Sequence, residues 1–209
     1  AELGGSSTSI NFAMDPDSDE ARSLTESLGI SPEKHDLLAK HAQLVVDWNE
    51  RLNLISRIDC TRSVVFGRHI LPSVALAGLP DFPATDGVNF AKIIDVGTGG
   101  GFPGLPLAII YPEVEFLLVD SVGKKLKAIR KIVKTLGLTN VQTYHGRAEE
   151  IAHDPIQGFQ HKEAYDICVG RSVAALPQFC FWIQDLLKRT SQDSLEGRLV
   201  YIIGGEVEP

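Results

Sequence analysis

The sequence predicts an α/β fold, a doubly wound, mainly parallel sheet preceded by an N-terminal helical region. From Ala91 onward, short β-rich runs alternate with helical segments, the order in which a parallel sheet and its crossover helices are laid down. Before that point the apolar residues recur at helical spacing instead. The chain has 209 residues, 44% of them apolar and 22% charged, enough for one substantial domain with a small appendage and a buried core.

Residues Ala1 to Glu20 are rich in Ser, Gly and Asp without a sustained apolar period, and residues 1–20 are expected to form a flexible or loosely docked arm. Ser31 and Pro32 supply an N-cap and a first helical residue. Leu37, Leu38, Leu44, Val45 and Trp48 carry one amphipathic helix to about Glu50, a spacing that assigns Trp48 to the core rather than to base stacking. A second helical stretch runs from about Arg62 to Gly78 with an interruption near Pro72, so 31–80 read as a helical region.

Residues 88–209 hold the sheet. Lys92 to Val96 reads as the first strand, followed by a Gly-rich turn and a short helix to about Ile110. Val114 to Asp120 is the second strand, and Gly123 to Leu136 a helix that Gly137 stops as a C-cap. Val141 to His145 and Tyr165 to Val169 are the third and fourth strands, joined by an exposed connection over Ala152 to Glu163. A helix covers about Leu176 to Lys188, and Arg198 to Ile203 is the fifth strand. Only Gly204 to Pro209 follow, so the C-terminal strands of a complete doubly wound domain are expected to be missing.

Twenty Lys and Arg against 27 Asp and Glu give a net charge of -7, which disfavours polyanion binding through overall charge and confines any nucleic-acid site to a local patch. The longest uncharged run, Val96 to Pro112, contains five Gly and three Pro and cannot form an apolar spanning helix, so no membrane partner is expected. The first basic residue is Arg22 and no apolar core precedes it, which predicts no secretory signal; a transit peptide already removed would leave no trace. Cys60, Cys168 and Cys180 lack zinc or redox spacing and are expected to be reduced thiols of an intracellular protein. His35, His41, His145, His153 and His161 likewise show no ligand spacing, so no metal is expected.

The most informative stretch is Asp95-Val96-Gly97-Thr98-Gly99-Gly100-Gly101-Phe102-Pro103-Gly104. A strand-to-helix turn without side chains lets a ligand lie against backbone, and the helix start offers free N–H groups. Gly99-x-Gly101-x-x-Gly104 also satisfies the dinucleotide pattern, and Asp120, 21 positions after Gly99, can accept hydrogen bonds from ribose hydroxyls of either kind of cofactor. Asp95 separates the two readings: its carboxylate would repel a pyrophosphate at short range, and the D-x-G-x-G-G-G that it begins resembles the first motif of Rossmann-like methyltransferases, in which the acid helps hold the amino-acid end of S-adenosylmethionine. An NAD-type cofactor and a purely structural turn remain the alternatives.

The run Asp95 to Leu107, followed by Leu118-Val119-Asp120-Ser121-Val122-Gly123-Lys124-Lys125, resembles the bacterial small-subunit rRNA methyltransferase G family, also called glucose-inhibited division protein B. Trp48-Asn49-x-x-Leu52-Asn53-Leu54, Arg68-His69-Ile70-Leu71, Gly146 to Glu150, Tyr165-Asp166 and Gly170 to Ala174 match further family motifs, so the resemblance spans about Leu37 to Gly205. It implies a Rossmann-like class I methyltransferase that uses S-adenosyl-L-methionine to methylate N7 of a guanine in 16S ribosomal RNA. By matched motif, Gly97, Gly99 and Phe102 line the cofactor pocket, Asp120 holds the ribose, Ala148 and Glu149 contact the adenine, and Arg171 lies beside the cofactor facing the substrate. The sequence departs from the family at Pro72, at Gly170 and Ser172, and at Gly204, where the family carries Lys; this suits a truncated or organellar member.

The residues agree with that chemistry. Guanine N7 has a free lone pair and loses no proton on attack, so no catalytic general base is required, and Gly170 to Ala174 presents none. An exocyclic-amine methylase would carry a polar-Pro-Pro-aromatic stretch there. Carbon-5 pyrimidine methylation needs a thiolate, whereas Cys168 sits between Ile167 and Val169 in a predicted strand as a buried core residue. From Ser121 to Ala148 there are seven Lys or Arg and no acid, and Lys124, Lys127, Lys131 and Lys134 share one helix face suited to RNA phosphates or, on the bland reading, simply to water. Arg62, Arg68 and His69 could extend that surface. The expected partner is small-subunit rRNA or the ribosomal subunit, bound by a monomer in the cytoplasm or in an organelle of bacterial descent. A small-molecule methyltransferase and a non-enzymatic, cofactor-binding assembly factor are the other readings.

Overall fold

In the computed structural model, five strands pair into one all-parallel sheet of order β3-β2-β1-β4-β5. The strands are β1 (Lys92–Val96), β2 (Glu115–Asp120), β3 (Val141–His145), β4 (Ile167–Arg171) and β5 (Arg198–Ile202). The structure describes residues 12–56, 60–80, 82–83, 91–155, 158–189 and 196–203. Period-two alternation divides β1 between two cores. Ile93 packs with Phe116, Leu118, Ile167 and Val169 on one face, and Ile94 and Val96 pack with Leu117, Val119 and Cys168 on the other.

The helices α1 (Asp19–Ser27), α2 (Pro32–Asn49), α5 (Gly104–Ile110) and α6 (Gly123–Leu136) bring apolar stripes to the first face. Short helices α7 (Ala148–Ile151) and α9 (Leu176–Ile183) cover the second, while α8 (Gly158–His161) lies in the β3–β4 connection. As predicted, Ser31 caps α2 with Pro32 in its first turn, and Gly137 ends α6 in the left-handed conformation at φ +71°. In α6, Leu126, Ile129 and Ile132 are fully buried, each contributing about 1.5–3 kcal/mol by removal from water.

The predicted 62–78 helix is continuous but not uniform. It consists of α3 (Arg62–Val65), a π turn (Phe66–Ile70), α4 (Leu71–Val74) and a 3₁₀ turn (Ala75–Gly78). The interruption expected near Pro72 is the π turn just before it, and Pro72 itself occupies the first turn of α4, where it needs no N–H partner.

Three expectations are corrected. Of the flexible or loosely docked arm expected over 1–20, residues 1–11 lie outside the described residues, and 12–20 are firmly held, with a helix already begun, rather than loosely docked. Met14 N–H donates to the Ser63 carbonyl, the Pro16 carbonyl meets His35 Nε2, Asp17 pairs with Arg62, and α1 begins at Asp19 under a Ser18 cap. The fourth strand runs from Ile167 to Arg171 rather than from Tyr165 to Val169. Tyr165 forms only an isolated bridge to Leu187, whereas Gly170 and Arg171 continue the ladder opposite Tyr201 and Ile202 of β5, and position 170 is Gly because a Cβ there would lie 2.6 Å from Phe179 Cζ. The last helix ends at Ile183 rather than near Lys188, since the Asp185 and Leu186 carbonyls accept from Glu163, Ala164 and Tyr165.

Candidate cofactor and substrate site

Strand order reverses beside β1: β2 and β3 lie to one side of it, β4 and β5 to the other. The crevice above the C-terminal ends of β1 and β4 is thus a topological switch point, where open α/β sheets take their ligands. A cleft of about 310 Å³ lies there, walled by Leu54, His69, Gly97, Phe102, Arg171 and Ser172. A hollow of about 400 Å³ around Lys92, Glu115 and Tyr165 lies at the opposite strand ends, away from the glycine turn.

The turn after β1 is built by exclusion of side chains. Gly97 has φ +73°, and a Cβ on it would sit 2.6 Å from Val173 Cγ1. Its N–H and that of Thr98 both donate to the Val119 carbonyl, which fastens the turn to β2. Asp95 beneath it is fully buried. Its Oδ2 accepts from Thr98 Oγ1 at 2.7 Å and from Gly104 N–H at 2.9 Å, while Oδ1 has no partner among the described residues.

Burial pushes the Asp95 carboxyl up to about 7, against the pull of the Thr98 and Gly104 hydrogen bonds, and the charge of Asp120 adds to the rise. The folded chain therefore holds a proton here that the unfolded chain releases between about pH 4 and pH 7. This group's stabilisation is full below about pH 4 and is lost as pH rises through 7, about 4 kcal/mol at most. Unfolding by urea is expected to show wild-type stability falling across that window relative to Asp95→Asn. Parallel curves would show that the carboxyl keeps its ordinary value.

Asp120, at the end of β2, uses both oxygens to shape the rim. Oδ2 accepts from Gly99 N–H at 3.0 Å and Oδ1 from Val122 N–H at 2.8 Å. A carboxylate has about four acceptor positions, so two remain for a ligand. The Asp120 carbonyl accepts from Gly146 N–H at 3.3 Å, which brings the start of α7 alongside. There Ala148 is buried, and Glu149 is partly exposed with Oε1 3.7 Å from Arg147 Nη1. The ends of β1, β2 and β3 thus bring Gly97, Gly99, Asp120, Ala148 and Glu149 into one row. This set suits S-adenosylmethionine: bare backbone for close approach, and a carboxylate with acceptor positions left for ribose hydroxyls.

The facing wall comes from the helical region. His69, on the π turn, receives a hydrogen bond at Nδ1 from Arg171 Nη1 at 3.1 Å. Because guanidinium can only donate, the His69 proton resides on Nε2. Burial, with Arg171 and Arg68 nearby, holds this imidazole down at about 4, so it is neutral. Phe102, nearly buried, lies between two imidazoles, His69 and His41, with both ring-centre distances 5.1 Å. His69 therefore belongs to the cleft wall rather than to an open surface.

Two positioning groups escaped the sequence reading. Buried Asn49 accepts at Oδ1 from Leu54 N–H at 2.8 Å and from Ile55 N–H at 3.1 Å, fixing the loop that walls the cleft. Its signal was a polar residue on the Leu38, Ala42, Val45 stripe of α2. Tyr201 Oη accepts from Val173 N–H at 2.7 Å and Ala174 N–H at 3.0 Å and donates to the Ala174 carbonyl at 2.9 Å. It thereby holds the loop whose first residue, Ser172, has φ +50°. Sequence offers no marker for that contact.

Lys124, Lys127, Lys131 and Lys134 are exposed on α6 opposite its buried stripe. Lys124 sits at the strand-end rim, and the row runs from there down the side of the sheet. A second hollow, bounded by Asn53, Leu54, Ile55, Ser56 and Lys125, shares its Leu54–Ser56 wall with the cleft, so positive charge begins at the cleft's edge. Arg68 lies beside His69 on the π turn. Cys168 is fully buried, and burial pushes its thiol well above the ordinary range, which suits core packing and not nucleophilic attack. Trp48 packs against the first core.

A family model described as rRNA small subunit methyltransferase G (GidB) matches residues 34–194. The ribosomal RNA small subunit methyltransferase G of Flavobacterium psychrophilum is 37% identical over 164 residues, which cover 78% of this chain and 70% of that protein. The proteins of the same name from Flavobacterium johnsoniae and Phocaeicola vulgatus are 36% and 38% identical, over 88% and 86% of this chain and 82% and 78% of theirs. A solved structure from Methanococcus maripaludis, described as an S-adenosyl-L-methionine-dependent methyltransferase, superposes with a TM-score of 0.50 at 18% identity. That superposition covers 79% of this chain and 64% of that one, a likeness of fold.

Proposed function

The chain belongs to the rRNA small subunit methyltransferase G family, and on that premise we propose that it transfers a methyl group from S-adenosylmethionine to N7 of a guanine in 16S ribosomal RNA. The observation that carries this reading is the cleft at the β1–β4 switch point, where a side-chain-free turn, fastened from behind by Asp95 and Asp120, faces a wall holding Arg171 and His69. Bound there, the cofactor supplies an electrophilic methyl carbon on a sulfonium. The chain's task is alignment, an effect worth up to about 7–11 kcal/mol in such displacements.

Each wall contributes to that alignment. Gly97, Gly99 and Asp120 fix the adenosine side, and Ala148 and Glu149 close over the adenine. Phe102, packed between imidazoles, keeps the methionine side dry. Arg171, steadied by the neutral His69, stands on the substrate side. No group need take a proton from N7. Lys124, Lys127 and Lys131, with Arg68, are assigned to RNA phosphates, His69 to the substrate side of the wall, and a single copy acting in the cytoplasm is the form that meets the ribosomal subunit. Among the described residues no helix is long and apolar enough to cross a membrane.

The test is methyl transfer from labelled S-adenosylmethionine to small ribosomal subunits, and separately to naked 16S rRNA, from a strain lacking the modification. Nucleoside chromatography is expected to place the label in 7-methylguanosine. Label in a pyrimidine or in an exocyclic amine would overturn the N7 assignment. Cofactor binding without transfer to either substrate would favour an assembly factor.

A further inference from the structure

His41 projects from α2 against the underside of the glycine turn, and its surroundings make no use of its polarity. The imidazole is fully buried, and neither ring nitrogen has a hydrogen-bond partner among the described residues. One ring face stacks on Phe102 at 5.1 Å with an interplanar angle of 29°, and His69 stands against the same phenyl ring. The nearby backbone is that of Gly100, close enough to favour a protonated ring yet short of hydrogen-bond geometry. Burial holds the group neutral, down at about 3. A neutral imidazole carries one N–H, and here that donor has no acceptor among the described residues.

A buried donor without an acceptor destabilises the free protein, and an apolar ring of similar shape would fill the same space without that penalty. Unsatisfied groups of this kind gather where a site is preorganised at the expense of stability. Gly100 also lines the cleft, so a ligand in the cleft and His41 on α2 meet the same glycine turn. We propose that His41 is a positioning residue for the cofactor: its ring N–H takes up the Gly100 carbonyl when S-adenosylmethionine lies against the turn, coupling the helical region to cofactor binding. The inference rests on the cofactor reading above.

The test is calorimetric binding of S-adenosylhomocysteine to the full chain, together with thermal unfolding of the ligand-free protein and steady-state transfer to ribosomal subunits. His41→Phe is expected to raise the melting temperature without ligand while weakening binding about tenfold, a loss of the size one hydrogen bond supplies. The KM for cofactor should rise by the same factor with kcat nearly unchanged. His41→Gln, which restores an N–H donor, is expected to bind within about threefold of wild type. If His41→Phe stabilised the protein and bound as tightly as wild type, or if His41→Gln were as weak as His41→Phe, the residue would be core filling and the proposal wrong. A wild-type protein that bound no cofactor would instead overturn the functional reading and this inference with it.

Discussion

Asp120→Ala is expected to lower affinity for S-adenosylmethionine by two orders of magnitude or more, with transfer to ribosomal subunits falling in parallel at any attainable cofactor concentration. Two losses add. The ribose hydroxyls lose a charged acceptor, and hydrogen bonds to charged groups are worth about 1.5–3 kcal/mol each. The turn also loses its anchor, because Gly99 N–H and Val122 N–H both donate to this carboxylate. Asp120→Asn separates the two effects: it keeps one acceptor oxygen and is expected to fall between Ala and wild type. Calorimetry with S-adenosylhomocysteine reads the affinity, and urea unfolding shows whether the fold survives. An Asp120→Ala protein that bound within a few fold of wild type would remove Asp120 from the cofactor site.

The prominence of Asp120 in the sequence, against the faint signal of Asn49 and the silence of Tyr201, shows which parts of this site local pattern encodes. β1, α6 and β3 have the bounds predicted because each is set by neighbours in the chain: alternation for the strands, a 3.6-residue stripe and a terminal Gly for the helix. Residues 97–104 and Asp120 were readable because bare backbone and a strand-end acid are themselves the chemistry. α1 was missed since Asp19 to Ser27 is polar, and its helix is fixed by the Ser18 cap and by contact with α2. The end of β4 was missed because Gly170 is a poor strand former in isolation and is required by the distant rings of Phe179 and Tyr201. The His69–Arg171 pair joins residues 102 positions apart, and no periodicity reports such a contact. What the sequence hid is the wall supplied by the helical region, which only folding brings to the cleft.

Reversing three charges on α6 is the other large effect expected. Lys124→Glu, Lys127→Glu and Lys131→Glu together should lower kcat/KM for ribosomal subunits or 16S rRNA about 10²–10³-fold near physiological salt. The dependence of binding on salt should become shallower by two to three contacts' worth, at about 0.7–0.9 per phosphate. Cofactor affinity should stay unchanged, since none of these side chains lines the cleft. Helix energetics support the assignment. Lys124–Lys127, Lys127–Lys131 and Lys131–Lys134 are like-charge neighbours, each weakening the helix by about 0.2–0.5 kcal/mol. Lys124 and Lys125 also stand in a first turn without any acid, where the helix dipole disfavours cations. A face meant only for water would gain stability from alternating signs, and a chain of net charge -7 has acids to spare. The reversal at Lys124 should improve the helix, so lost activity could not be put down to unfolding. A small-molecule enzyme would be indifferent to all three changes, and an unchanged salt slope would make this face mere solvated surface.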